Sequence, residues 1–143
     1  MLTVTSTAID GVKVVTPNRL RNSRGGSSAK LIIRGALPST AFWHDFVQDN
    51  QSASAAIAHS FGGLHFQGHP LPKAKLIPVL KGRIFDVAVD LRRSSPTYGK
   101  WVAEEASAEN RKQVFIPIDF ARGFCTLEID THVFYKVSAF IRP

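Results

Sequence analysis

The chain has 143 residues, and 18 Lys and Arg against 11 Asp and Glu leave it a formal charge of +7. Its 44% hydrophobic and 20% charged residues exclude an intrinsically disordered chain, and its length suits one domain over 1–143 with an ordinary core. No uncharged apolar run approaches the ~20 residues of a membrane-spanning helix, residues 1–7 lack the basic and apolar regions of a secretory signal, and a lone Cys125 fits a reducing compartment, so a cytoplasmic location away from membranes is expected.

In chain order, residues 11–17 read as a strand. Residues 22–28, Asn-Ser-Arg-Gly-Gly-Ser-Ser, read as a flexible turn; no Lys-Ser/Thr pair follows to make it a phosphate loop. Residues 39–47 suit a turn or two of helix or an irregular loop, 49–52 a loop, and 53–59 stay ambiguous. Strands are expected over 75–80, 83–91, 113–116, 124–129 and 133–140, rich in Val, Ile, Phe and Thr and punctuated by Pro and Gly. Short strands at this spacing predict an all-β sandwich or barrel. Within 83–91 the alternation is clean: Ile84, Asp86, Ala88 and Asp90 share one face, and Phe85, Val87, Val89 and Leu91 the other. The apolar set is expected to face the core. Lys81-Gly82 suits a two-residue hairpin loop, which would pair Leu80 with Arg83 and Ile77 with Asp86, and set Lys75 diagonally from Asp86.

The positive charge is dispersed from Lys13 to Arg122 without a basic run, which argues against nucleic acid as a partner. A mixed solvated surface or a pocket for a phosphorylated anion both accommodate it. Two histidines, His65 and His69, lie among glycines before the strand that begins at Lys75. A divalent metal wants three or four neutral or anionic ligands. Lys75 and Arg122 stand where further ligands would come from, so no metal is expected. The same region suits metal-free proton transfer: His65 as general base, Lys75 beside a developing oxyanion, and Tyr135 as a proton donor.

Several blocks then occur in order: Phe46-Val47-Gln48-Asp49-Asn50-Gln51-Ser52, Gly63-Leu64-His65-Phe66-Gln67, Ala74-Lys75-Leu76, residues 82–92, Ser95-Pro96-Thr97-Tyr98-Gly99-Lys100-Trp101, residues 107–111, Phe115-Ile116-Pro117 and Gly123-Phe124. Together they resemble the dTDP-4-dehydrorhamnose 3,5-epimerase family over nearly the whole chain, from about Lys13 to Pro143. The resemblance implies a cupin-like antiparallel jelly-roll barrel without metal or other cofactor, and a homodimer with exchanged N-terminal strands. It implies a dTDP-linked 4-keto-6-deoxyhexose as substrate, inverted beside its ketone by deprotonation and reprotonation on the opposite face. His65 then matches the general base, Lys75 the residue steadying the enolate oxygen, and Tyr135 the proton donor. Asp86 matches a polar position of the barrel. Gln48, Asn50 and Arg24 match positions touching the nucleotide or sugar, Arg24 from the partner subunit. Arg122 is expected to join Arg24 in a positive mouth for the diphosphate, so that Arg122→Glu would weaken dTDP binding far more than stability.

The departures from the family pattern are Gly62 in place of an arginine, residues 22–29 in place of a loop carrying an aromatic and an acid, and Arg122 in place of a histidine. The family continues past the position of Pro143 into a segment whose acid pairs with the catalytic histidine, and without that acid proton exchange is expected to be slow. The alternative from another class is a noncatalytic jelly roll binding a sugar nucleotide or a protein partner.

Overall fold

A computed structural model of the chain describes residues 2–21, 23, 27–29, 45–54 and 61–140. Among the described residues every regular element is a strand: β1 (Leu2–Ser6), β2 (Lys13–Pro17), β3 (Arg19–Arg21), β4 (Ser27–Ala29), β5 (Gln48–Ala53), β6 (Phe61–His65), β7 (Lys75–Ile77), β8 (Val79–Lys81), β9 (Arg83–Asp90), β10 (Trp101–Ser107), β11 (Gln113–Ile116), β12 (Phe120–Thr126) and β13 (His132–Val137). A seven-stranded sheet runs β1-β2-β11-β7-β13-β5, with β8 also on β13; a four-stranded sheet runs β10-β9-β12-β6, and β3 pairs β4 in a ribbon. The strand pairs are antiparallel throughout. The order jumps back and forth along the sequence, as in a jelly roll that closes two sheets over one interior. Ile77, Val79, Val114, Ile116 and Val133 from the large sheet meet Ile84, Ala88, Ala106 and Phe120 from the small one in the main core. A second cluster, Val15, Ala74, Leu76 and Phe115, packs under Leu2, Val4 and Phe46.

The expected all-β jelly roll is thus what forms, with several local corrections. Residues 81–82 do not close a hairpin. β8 pairs with β13, whereas β9 pairs with β10 and β12, so the chain changes sheets at Gly82. Gly82 has φ +79°, and a Cβ there would lie 2.3 Å from the Thr131 hydroxyl oxygen. Only glycine turns this corner without strain. Lys75 and Asp86 therefore stand on different sheets and act on one another across the interior, not as diagonal neighbours within one hairpin.

The face of β9 is also reversed. Ile84, Asp86, Ala88 and Asp90 are buried, and Phe85 on the opposite face is 41% exposed. Pairing explains the reversal, because both carboxylates meet cations or hydroxyls inside the fold. Asp90 accepts hydrogen bonds from Arg92, Ser95 and Thr97 at 2.6–3.0 Å and so anchors the loop that leads to β10. Asp86 is held by Arg122.

Residues 49–52, expected as a loop, lie in β5, whose partner β13 runs from His132 opposite Ala53 to Val137 opposite Gln48. Strands expected over 124–129 and 133–140 are found as β12 and β13, each displaced toward the N-terminus. The strand expected over 11–17 is found as β2, paired on both sides by β1 and β11. Residues 30–33, 39–44 and 55–59 lie outside the described residues, and 45–47 form no regular element.

Candidate active site

A cleft of about 500 Å³ opens between the two sheets, and it is lined by His65, Lys75, Tyr135, Arg122, Lys73, Phe66 and neighbouring residues. His65 ends β6 and sits opposite Arg122 of β12 in the strand register. Residues opposite one another on antiparallel strands share a face, so the buried Arg122 fixes which way His65 points. Lys75 opens β7, between Ile116 of β11 and Val137 of β13. Tyr135 lies in the middle of β13, opposite Asn50 of β5. The two sheets thus deliver an imidazole from one side and an ammonium and a phenol from the other.

These three groups share a further property: among the described residues none of the three side chains has a hydrogen-bond or ion-pair partner. Their polar atoms are left to whatever enters the cleft. Burial lowers the Lys75 pKa from 10.5 to about 8, reinforced by the like charges of Arg122 and Lys73 and opposed by Asp86. Burial lowers Lys73 as well. Lys73 is the lining cation that sequence reasoning passed over; its signal was spacing, two residues before Lys75 on the approach to the same strand.

Arg122 lines the cleft but does not stand open at its mouth. It is 7% exposed; its Nε donates to Asp86 Oδ1 at 2.8 Å and its Nη2 to Asp86 Oδ2 at 3.0 Å, while its guanidinium stacks 4.5 Å from the Phe124 ring centroid. Burial pushes the Asp86 carboxyl up, and Arg122 and Lys75 pull it back; the bidentate contact holds it as the carboxylate. The expectation for Arg122→Glu reverses accordingly, because that change would place two carboxylates in one buried spot, and stability would suffer first.

Gln48 and Asn50 share the inward face of β5 with Ser52, which reaches the cleft. The Gln48 amide donates to Asn50 Oδ1 at 2.9 Å, and Asn50 Nδ2 is a buried donor without an acceptor among the described residues. Neither lines the cleft itself; they flank it behind Tyr135. Arg24 lies outside the described residues. No group of three His, Cys, Asp or Glu side chains converges among the described residues.

A neutral imidazole can take a proton from carbon, an ammonium can hold an oxyanion, and a phenol can return a proton from another side. Comparison with known proteins agrees with this chemistry. The sequence profile of the family described as dTDP-4-dehydrorhamnose 3,5-epimerase matches residues 6–143. A dTDP-4-dehydrorhamnose 3,5-epimerase from Sinorhizobium fredii is 44% identical over 134 residues, covering 94% of this chain and 68% of that protein. The crystal structure of the enzyme of that name from Bacillus anthracis, with TDP and PPi bound, superposes with TM-score 0.93 at 39% identity, over 99% of this chain and 80% of that one. A dTDP-6-deoxy-D-glucose-3,5-epimerase from Legionella pneumophila, in complex with dTDP-4-keto-L-rhamnose, superposes with TM-score 0.91 at 35% identity, over 100% of this chain and 74% of that one. Sequence, fold and the grouping of His65, Lys75 and Tyr135 in one cleft converge, and the chain belongs to the dTDP-4-dehydrorhamnose 3,5-epimerase family.

Proposed function

We propose that this chain epimerises a dTDP-linked 4-keto-6-deoxyhexose at carbon beside the ketone. The observation that carries the proposal is the placement of His65, Lys75 and Tyr135 on facing walls of one cleft, each with its polar group unengaged among the described residues. The ketone acidifies the adjacent C–H. Neutral His65 takes that proton, the electron pair moves onto the ketone oxygen, and the Lys75 ammonium stabilises the resulting enolate. Tyr135 gives its phenolic proton to the other face of the same carbon, and the enolate collapses to the inverted ketone. The imidazolium and the phenolate then exchange protons with solvent, which restores the site. A base and an acid on opposite sheets make inversion the natural outcome, since a single group would return the proton where it was taken.

Gln48 and Asn50 border the cleft on β5, joined through Asn50 Oδ1, and back the wall against which the sugar or nucleotide sits. Asp86 serves the site indirectly through Arg122. Arg24, supplied by the partner subunit, and Lys73 provide positive charge for the diphosphate. The working unit is a homodimer, for the outward face of β9 and β10 carries Phe85, Val87, Val89 and Trp101, the last 63% exposed. Such a chain works in the cytoplasm, where sugar nucleotides are made.

The test is incorporation of solvent deuterium into dTDP-4-keto-6-deoxyglucose, followed by mass spectrometry. Exchange at carbon beside the ketone is expected, and it should fall by orders of magnitude in His65→Ala. A wild-type protein that binds the sugar nucleotide without any exchange would leave a binding module and defeat the proposal.

A further inference from the structure

The Asp86–Arg122 pair is a buried ion pair inside the site that none of the steps above uses. Its geometry is complete: two charge-assisted hydrogen bonds at 2.8 and 3.0 Å, a ring stack on Phe124, and near-total burial of both partners. Lys75 lines the same cleft from the facing sheet and has no hydrogen-bond or ion-pair partner among the described residues. Of the ionisable groups that line the cleft with it or act on its charge, Lys73 precedes it in the chain, His65 comes from β6, Arg122 from β12, Tyr135 from β13 and Asp86 from β9; its partners on the flanking strands, Ile116 and Val137, carry no charge. Asp86 is the one carboxylate in this set, and both of its oxygens face Arg122.

We infer that Arg122 is a positioning residue for Lys75: by occupying both oxygens of Asp86 it leaves the Lys75 ammonium without a resident counter-ion, open to the negative charge that forms on the substrate's ketone oxygen. The inference rests on the proposed epimerase chemistry for its purpose, but its physical content concerns the free protein. A neutral residue at position 122 would release Asp86 toward Lys75, and the resulting pair would hold Lys75 charged and self-satisfied. Arg122 prevents this and adds a like charge of its own, in the direction of the lowered Lys75 pKa. An ammonium that is poorly compensated in the empty site gains the most when an enolate appears, so the interaction strengthens in the transition state more than in the ground state.

The experiment is a titration of the lysine side chains by NMR in protein labelled with 13C at lysine Cε, with the Lys75 signal identified by its absence in Lys75→Arg. Wild-type Lys75 should titrate well below the surface lysines. Arg122→Gln should move its midpoint up by about one pH unit or more, Asp86→Asn should move it down, and Arg122→Lys, which keeps the charge, should restore it toward the wild-type position. A pair that does not govern the surroundings of Lys75 would leave its midpoint within a few tenths of a pH unit of wild type in both charge-removing variants. Wild-type Lys75 titrating among the surface lysines would overturn the inference without any variant. So would an unmoved midpoint in folded Arg122→Gln. Because no substrate is needed, failure of the deuterium exchange with these shifts intact would count against the epimerase proposal alone.

Discussion

At the scale of single residues, the site divides into groups that a substrate touches and groups that hold them in place. His65 is in the first class: with no carboxylate bonded to it among the described residues, its orientation comes from the β6–β12 register. His65→Ala is expected to lower deuterium exchange by roughly 10²–10⁴-fold, the range of a lost general base, while the circular dichroism spectrum stays unchanged. Tyr135→Phe separates the two proton transfers. Exchange should persist in that variant while inversion falls, as NMR of the recovered sugar would show. Lys75 links chemistry to stability. Its folded pKa of about 8 lies below the ordinary 10.5, so the unfolded chain binds more protons between those values and stability rises with pH across that window. Below about 8 the buried charge opposes folding in full. Lys75→Met should therefore abolish exchange and yet stabilise the protein at neutral pH by on the order of 1 kcal/mol, a rise in Tm of about 3 °C by calorimetry. In the active protein kcat/KM should fall as pH rises through about 8, because the ammonium is the working form.

At the scale of elements, what could be read in advance was decided by whether the deciding contact is local. The β-rich class, β2, β7, β9 and β11 came directly from short runs of β-formers between turn residues, and His65 and Lys75 came from ordered blocks resembling a family, with Tyr135 added by what that resemblance implies. The inward face of β9 did not, because alternation ranks Asp86 as a surface residue until Arg122, 36 positions later, is known to cover it. β5 was missed for a similar reason: Gln-Asp-Asn-Gln-Ser is turn-like by composition, and its strand geometry is imposed by pairing with β13 across more than eighty positions. Gly82 looked like a hairpin residue and proved to be a change of sheet, since a glycine with positive φ serves both and only the partners of β8 and β9 distinguish them. That position carries a sharp expectation. In Gly82→Ala the new methyl would meet Thr131, itself fully buried, and the backbone would be held in a region that costs about 1 kcal/mol or more for alanine. Urea denaturation should show a loss of about 2–4 kcal/mol with the m-value unchanged. An unaltered midpoint would mean that the corner relaxes.

At the scale of the whole molecule, two layers of sheet leave one surface unaccounted for. An antiparallel sheet with one face in water usually alternates apolar inside and polar outside, yet the outer face of the small sheet is apolar. Its interior face carries Ile84 and Ala88, and its outer face carries Phe85, Val87 and Val89, with Trp101 opposite Val89, Ala103 opposite Val87 and Cys125 opposite Phe85. β9 and β12 are central in that sheet, so the strip is broad and continuous rather than confined to an edge. A patch of this kind on a chain of net charge +7 is suited to a second copy: the apolar centre supplies the attraction, while Arg83, Glu105 and Glu128 at one end supply paired charges that suit an interface rim. The wild-type protein is therefore expected to sediment as a dimer at micromolar concentration. Val87→Glu places a charge at the centre of the strip without disturbing the inward face, so it should keep the folded spectrum and raise the dimer dissociation constant by about 30-fold or more, the scale of a central interface residue. A monomeric wild type, or a Val87→Glu variant that remains as tight a dimer, would remove this face from the assembly.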